Sequence, residues 1–181
     1  MQRAVFLDKD GTLVVDIPYN TDPEKIELAP FAVEALKQLQ DHGYLLIVVS
    51  NQSGISKGYF TAAALKPVIT RIGRLLCPAG ITLHDFYYCP HHENDACDCR
   101  KPKPGMLLQA ARAHQIDLAH SWMIGDILND VEAGKKAGCQ TVLINNGNET
   151  EWLLTADRKP TFIANDLKEA AELILLSKSY E

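Results

Sequence analysis

Long apolar runs are scarce in this chain. Across 181 residues the longest strongly apolar stretch is YLLIVV at 44–49, far short of the roughly 20 residues a membrane-spanning helix needs. Arg3 is followed by only four apolar residues before Asp8, too few for the apolar region of a secretion signal. An excess of basic residues is missing as well. Lysine and arginine number 18 against 23 acidic residues, so the net charge of −5 argues against a nucleic-acid-binding face. No repeat, low-complexity tract or linker divides the sequence. Cysteine is sparse at five, yet three of the five lie within residues 89–99. These features point to a soluble, cytoplasmic, monomeric protein forming one domain over 1–181, with no nucleic-acid or membrane partner. In a reducing compartment, clustered thiols point to metal binding rather than disulfides.

Strand and helix signals alternate along the chain. Apolar runs at 4–7, 44–49, 85–89, 122–124, 141–144 and 161–164 read as strands. Helical spacing fills 30–42, 61–76, 104–115, a segment ending at Ala137, and a stretch from about Leu167. Pro67 either kinks the second helix or marks its first turn. The alternation predicts a three-layer α/β/α, Rossmann-like fold with a central, mainly parallel sheet. Cys77, on the second helix, and Cys139, before a strand, are expected to be buried packing residues.

In such sheets, ligands bind beyond the carboxyl ends of the strands. Asp8 and Asp10 follow the first predicted strand, and Ser50 and Asn51 the second. The cysteine loop with Arg100 and Lys101 follows the third, and Asp126 and Asp130 the fourth. Asp8, Asp10 and Asp126 would bring three acids together, and such crowding is unfavourable unless a cation lies between them. Oxygen-only donors favour a hard ion, best Mg²⁺, whose usual task is phosphoryl transfer.

The four segments DKDGT (8–12), VVSNQ (48–52), RKPKPG (100–105) and GDILND (125–130) resemble the motifs of the haloacid dehalogenase superfamily of phosphohydrolases. They occur in family order over nearly the whole chain. The resemblance implies that Asp8 is the nucleophile and forms an aspartyl-phosphate, with Asp10 as general acid and then base. It implies that Ser50 and Lys101 hold the transferred phosphoryl group. Mg²⁺ would sit on Asp8, the Asp10 backbone carbonyl and Asp126, with Asp130 supporting that shell.

CPHHENDACDC (89–99) offers Cys89, His91, Cys97 and Cys99, four donors suited to tetrahedral, structural Zn²⁺. His92 competes with His91, and spacing alone leaves both open. A zinc-clamped loop would fix Arg100 and Lys101 at the crevice. C-P-H…C-D-C-R-K-P is similar to a zinc-bearing branch of the superfamily that holds heptose bisphosphate phosphatases and histidinol-phosphate phosphatases. NQSGISKGYF (51–60) and KPKPGMLL (101–108) look more like the heptose enzymes, which remove the C7 phosphate of heptose 1,7-bisphosphate in lipopolysaccharide-core sugar synthesis. The short gap between His91 and Cys97 looks more like the histidinol enzymes. Asp16, Ile17, Pro18, Tyr19, Ser50, Asn51, Gln52, Ser53, Arg100 and Lys101 match sugar-phosphate-contacting positions of the heptose branch. Ile127 stands where that branch typically has a lysine.

Neither 11–30 nor 54–100 leaves room for a large cap domain, so the crevice should be open and take a small phosphorylated sugar. Lys9, Lys57, Arg100 and Lys103 could bind a second anionic group. A receiver-like domain that merely accepts phosphate is the rival reading. Asp10 weighs against it, because a receiver needs no acid for a leaving group.

Overall fold

The computed structural model describes residues 1–177. The first apolar run forms strand β1 (Arg3–Leu7), and its side chains alternate between two buried faces as the pleat requires. Val5 and Leu7 belong to one apolar cluster, Ala4 and Phe6 to another. After β1 come helix α1 (Ala32–Asp41), β2 (Tyr44–Asn51), α2 (Leu65–Leu76), β3 (Asp85–Cys89) and α3 (Gly105–His114). They are followed by β4 (Trp122–Gly125), α4 (Leu128–Ala137), β5 (Gln140–Ile144), β6 (Phe162–Ala164) and α5 (Leu167–Ser177).

The strands form one six-stranded sheet in the order β3-β2-β1-β4-β5-β6, with every neighbouring pair parallel. Parallel neighbours need crossover connections, and these place helices on both faces. Leu36 and Leu39 of α1, Val68 and Ile72 of α2 and Ile174 of α5 join Val5 and Leu7 on one face. Met106, Leu107 and Ala110 of α3 and Ala133 of α4 join Ala4 and Phe6 on the other. The expected three layers are present. The chain leaves β1 first toward β2 and later toward β4, so their carboxyl ends flank the point where the strand order reverses.

Three boundaries differ from the sequence reading. Strand β2 runs on through Ser50 and Asn51, because pairing with Tyr88 and Cys89 of β3 overrides the polar signal. The segment at 61–76 opens with a 3₁₀ turn (Ala62–Ala64), and the α-helix begins at Leu65. Pro67 therefore falls in the first turn, where its missing N–H costs nothing. Helix α1 starts at Ala32 rather than Pro30, since Phe31 adopts a left-handed φ of 61°.

Cys77 corrects an expectation. It is exposed, in a 3₁₀ turn (Cys77–Ala79) beyond α2, whereas Cys139 is buried as anticipated. The buried stripe of α2 is Leu65, Val68, Ile72 and Leu76, and the position after Leu76 lies about 100° around the axis from that stripe.

Between Gly11 and Pro30 the only helical element is a 3₁₀ turn (Pro23–Lys25), and residues 54–100 are taken up by α2, β3, two 3₁₀ turns and the cysteine loop. Among the described residues no cap domain covers the carboxyl ends of the strands. No helix among the described residues is long and apolar enough to cross a membrane.

Candidate active site

Asp8 is the first residue past β1, and its N–H donates to the Ile124 carbonyl of β4 at 3.0 Å. The chain then folds back, with Gly11 N–H on the Val14 carbonyl (2.9 Å) and Val14 N–H on the Lys9 carbonyl (3.0 Å). Gly11 has φ 84°, and a Cβ built on it would lie 2.2 Å from Asp126 Oδ2. Both constraints require glycine there, so this turn can bring β1's acids up against those of β4.

Lys101 ties the acids together. Its ammonium donates to Asp8 Oδ1 (2.5 Å) and the Val49 carbonyl (2.9 Å), and lies 2.7 Å from Asp130 Oδ1. Lysine and both carboxylates are buried. Burial alone would lower the Lys101 pKa, but Asp130 and Asp8 outweigh it and hold the group above its ordinary range. Asp8 is pushed well up by burial, with Asp130 and Asp126 adding to the effect and Lys101 opposing it. Asp126 is raised to about 6 by burial and Asp130, against hydrogen bonds from Asn148 Nδ2 (2.6 Å) and Thr12 Oγ1 (3.2 Å).

Asp8, Asp126 and Asp130 each offer an oxygen within 4.8 Å of the others. One ammonium cannot neutralise three carboxylates, and the all-oxygen donor set fits a hard divalent cation. The Asp10 carboxylate lies outside this trio. It pairs with Lys9 and accepts from Gln52 Nε2 at 3.1 Å, and the same amide donates to Ser50 Oγ at 2.8 Å. Lys9, expected among the cations available to a second anion, is instead 2% exposed and joined to Asp10.

A cleft of about 320 Å³ opens above these groups, walled also by Asp16, Asn51, Ile127 and Asn148. A second, of about 210 Å³, shares Asp10, Asp16 and Asn51 and extends to Pro18, Tyr19, Gln52 and Ser53. The expected sugar-phosphate positions thus converge on two joined clefts, with three exceptions. Ser50 is buried beneath them and bound to Gln52. Ile17 is not among their wall residues, and Arg100 is half-buried with Nη1 on the His91 carbonyl at 3.4 Å. Burial and Asp10 raise the Asp16 pKa.

The cysteine loop folds into a closed donor set. Cys89 Sγ lies 3.4 Å from His91 Nδ1, 3.9 Å from Cys97 Sγ and 3.2 Å from Cys99 Sγ. His91 Nδ1 lies 3.3 Å from Cys99 Sγ. Tetrahedral zinc with Zn–S near 2.3 Å and Zn–N near 2.0 Å sets S···S at about 3.8 Å and S···N at about 3.5 Å, and the observed 3.2–3.9 Å separations scatter about those values. The sulfurs are too far apart for disulfides, which need about 2.05 Å. His91 stands with the three sulfurs, whereas His92 Nδ1 accepts from the Asn94 N–H at 3.3 Å. Burial pushes the Cys89 thiol up to about 12. Cys97 is lowered despite its burial, chiefly by the Arg100 N–H. The loop is seated on α3, where Gly105 N–H donates to the Asp98 carbonyl at 3.0 Å. A Cβ on Gly105 would meet that oxygen at 2.2 Å.

Sequence reasoning missed Thr12 and Asn148, both on Asp126, and the pairing of Lys9 with Asp10. Asn148 had a readable signal: the polar stretch NNGN follows directly on β5, and that strand end lies beside the others.

Acids, a hydroxyl and a buried lysine gathered at the switch point of a parallel sheet define a phosphoryl-transfer class of site. Known proteins that resemble the chain point the same way. Residues 98–170 match the family described as HAD-hydrolase-like. The chain is 39% identical to D-glycero-beta-D-manno-heptose-1,7-bisphosphate 7-phosphatase of Pasteurella multocida, over 99% of this chain and all of the relative. It is 36% identical to the Pseudomonas aeruginosa protein of that name, over 97% and 99%. The crystal structure of D,D-heptose 1,7-bisphosphate phosphatase from B. bronchiseptica, complexed with magnesium and phosphate, superposes with a TM-score of 0.82. It has 29% identity and covers 97% of this chain and 99% of that one. The chain belongs to the haloacid dehalogenase superfamily of phosphatases.

Proposed function

We propose that this protein is one catalytic domain, a Mg²⁺-dependent phosphomonoesterase that removes the C7 phosphate of heptose 1,7-bisphosphate and acts as a monomer in the cytoplasm. The observation that carries the reading is Asp8, buried at a strand end with Lys101 at 2.5 Å, in a chain similar end to end to enzymes named for that reaction.

The chain's own residues divide the work. An Asp8 carboxylate oxygen attacks phosphorus while the P–O bond to the sugar breaks, forming an aspartyl-phosphate. Asp10 gives its proton to the departing sugar oxygen, then takes one from the water that attacks the same phosphorus, releasing phosphate and restoring Asp8. Lys101 and the Ser50 hydroxyl hold the transferred group, Lys101 supplying positive charge at no cost of reorganisation because Asp130 already fixes it. Asp8, the Asp10 carbonyl and Asp126 would hold Mg²⁺, with Asp130 beside them; the ion would offset charge on the phosphate oxygens. Cys89, His91, Cys97 and Cys99 would hold structural Zn²⁺, leaving no open coordination position. A role as mere phosphate acceptor leaves unexplained why Asp10 is oriented by Lys9 and Gln52 at the junction of both clefts.

The test is a phosphate-release screen with Mg²⁺ on heptose 1,7-bisphosphate, fructose 1,6-bisphosphate and histidinol phosphate. The highest kcat/KM is expected for the heptose bisphosphate. A clear preference for histidinol phosphate overturns the assignment.

A further inference from the structure

Four cations near the crevice could have met a second anionic group, and the structure separates them. Lys9 is buried on Asp10, and Lys103 is bonded to the Cys97 carbonyl within the cysteine loop. Arg100 is bonded to the His91 carbonyl. Lys57 forms no ion pair within 4 Å among the described residues, although the Glu93 carboxylate is near enough to act on it electrostatically. Its ammonium instead donates to Tyr19 Oη at 2.9 Å and lies 5.3 Å from the centre of the Tyr19 ring.

Tyr19 in turn meets Tyr59 edge to face, ring centres 4.8 Å apart, and both rings are largely exposed. Two exposed aromatic rings packed on each other and beside a lysine suggest a binding wall rather than core. The scaffold beneath is rigid. Lys57 N–H donates to the Ser53 carbonyl (3.0 Å) and Tyr59 N–H to the Gly54 carbonyl (2.9 Å). A Cβ on Gly54 would meet the Phe60 ring at 2.3 Å and Tyr19 at 3.0 Å, so turn 53–60 and loop 16–20 are in direct contact. Ser56 N–H donates to the Pro90 carbonyl at 3.2 Å, docking the turn on the start of the cysteine loop. Tyr19 is held with φ 55°, an uncommon conformation for a tyrosine. It forms a wall of the cleft that Asp10 also borders, and Lys57, not itself a wall residue, sits beside that cleft through its bond to the Tyr19 hydroxyl.

We propose that Lys57, positioned by Tyr19 and Tyr59, is a specificity-determining residue that binds the second, uncleaved phosphate of a bisphosphorylated sugar. The inference rests on the phosphatase reading above and adds to it the group that distinguishes a bisphosphate from a monophosphate. An ammonium has three N–H donors, and Tyr19 takes one. A phosphate beside the cleft supplies acceptors for the others, and binding of a dianion there is salt-sensitive.

The experiment compares kcat/KM for heptose 1,7-bisphosphate with that for heptose 7-phosphate, which lacks the second phosphate. It uses the full chain and its Lys57→Met, Lys57→Arg and Tyr19→Phe variants. Wild type should favour the bisphosphate. Lys57→Met should cut that preference about tenfold or more, mainly through a higher KM for the bisphosphate, while Lys57→Arg retains most of it. Tyr19→Phe should erode it by a smaller factor. Added salt should reduce the wild-type preference and leave that of Lys57→Met nearly flat. An unchanged preference in Lys57→Met, or equal losses on both substrates, overturns the inference and leaves the phosphatase reading standing. So does a wild type that hydrolyses both substrates equally well. Failure of wild type to hydrolyse either sugar removes the underlying reading together with this one.

Discussion

Asn51 and Lys101 hold each other by a reciprocal pair of hydrogen bonds. Asn51 Nδ2 donates to the Lys101 carbonyl at 3.0 Å, and the Lys101 N–H donates to Asn51 Oδ1 at 3.0 Å. One residue closes β2 and the other leaves the cysteine loop, 50 positions later. The amide therefore pins the loop to the sheet at the point from which the Lys101 ammonium reaches Asp8.

Asn51→Ala removes both bonds and frees the Lys101 backbone to shift. Turnover should fall about 10- to 100-fold, since small displacements of a group that stabilises developing charge are costly. Unfolding should begin only slightly earlier. Steady-state kinetics beside a thermal melt checks this, and wild-type kcat in Asn51→Ala removes the positioning role.

Asp8→Asn should abolish phosphate release while leaving the protein folded. Asp8 is buried with its pKa raised, and Lys101 keeps Asp130 as a partner, so neutralising Asp8 relieves crowding instead of stranding a charge. A melting temperature equal to or above that of wild type, with no turnover, is the expected pair of results. Asp10→Asn should also be severe. With a substrate whose leaving group needs no proton, it should accumulate phosphorylated Asp8, visible by intact-protein mass spectrometry.

Metal-free protein should lose stability as pH rises through about 6. Asp126 is raised to about 6 by burial and Asp130, so between roughly pH 4 and 6 the native state binds more protons than the unfolded chain. Stability from this group is therefore highest below the unfolded pKa and declines until pH passes the folded value. A rise from the ordinary aspartate range to about 6 corresponds to a decline on the order of 2–3 kcal/mol. Saturating Mg²⁺ should largely suppress that decline by compensating the carboxylates. Urea titrations at pH 4.5 to 7.5, with and without Mg²⁺, measure both slopes. Identical profiles would show that Asp126 does not carry the effect.

Zinc should copurify at about one ion per chain, and mild chelation of Mg²⁺ should stop activity reversibly while zinc stays bound. In the native, zinc-loaded protein one thiol in five should react readily with a thiol reagent. That thiol is Cys77, exposed beyond α2, whereas burial pushes Cys139 up to about 12. Cys97→Ser should loosen the loop, lower the melting temperature and weaken turnover through Lys101, with the sheet intact. Five rapidly reacting thiols and no zinc by elemental analysis would overturn the site.

Much of this protein is determined by local chemistry that the sequence displays directly. Short apolar runs alternating with helical spacing specify a parallel sheet with helices on both faces, because buried strands and amphipathic helices each have one way to hide their apolar surface. DKDGT, GDILND and the cysteine spacing were likewise legible, since ligands and nucleophiles cluster at strand ends and on short loops. Only the tertiary structure could decide the pairings. Whether Asp10 faces the other acids or Lys9, whether His91 or His92 joins the three thiols, and whether Asn51 reaches the Lys101 backbone depend on side-chain direction after chain reversal. Composition and period carry no information about that. The same holds for Asn148 on Asp126 and Lys57 on Tyr19, 22 and 38 residues apart. Such contacts exist because the sheet order brings β1, β2, β4 and β5 and their loops to one edge, and a packed core allows a single arrangement of the groups above it.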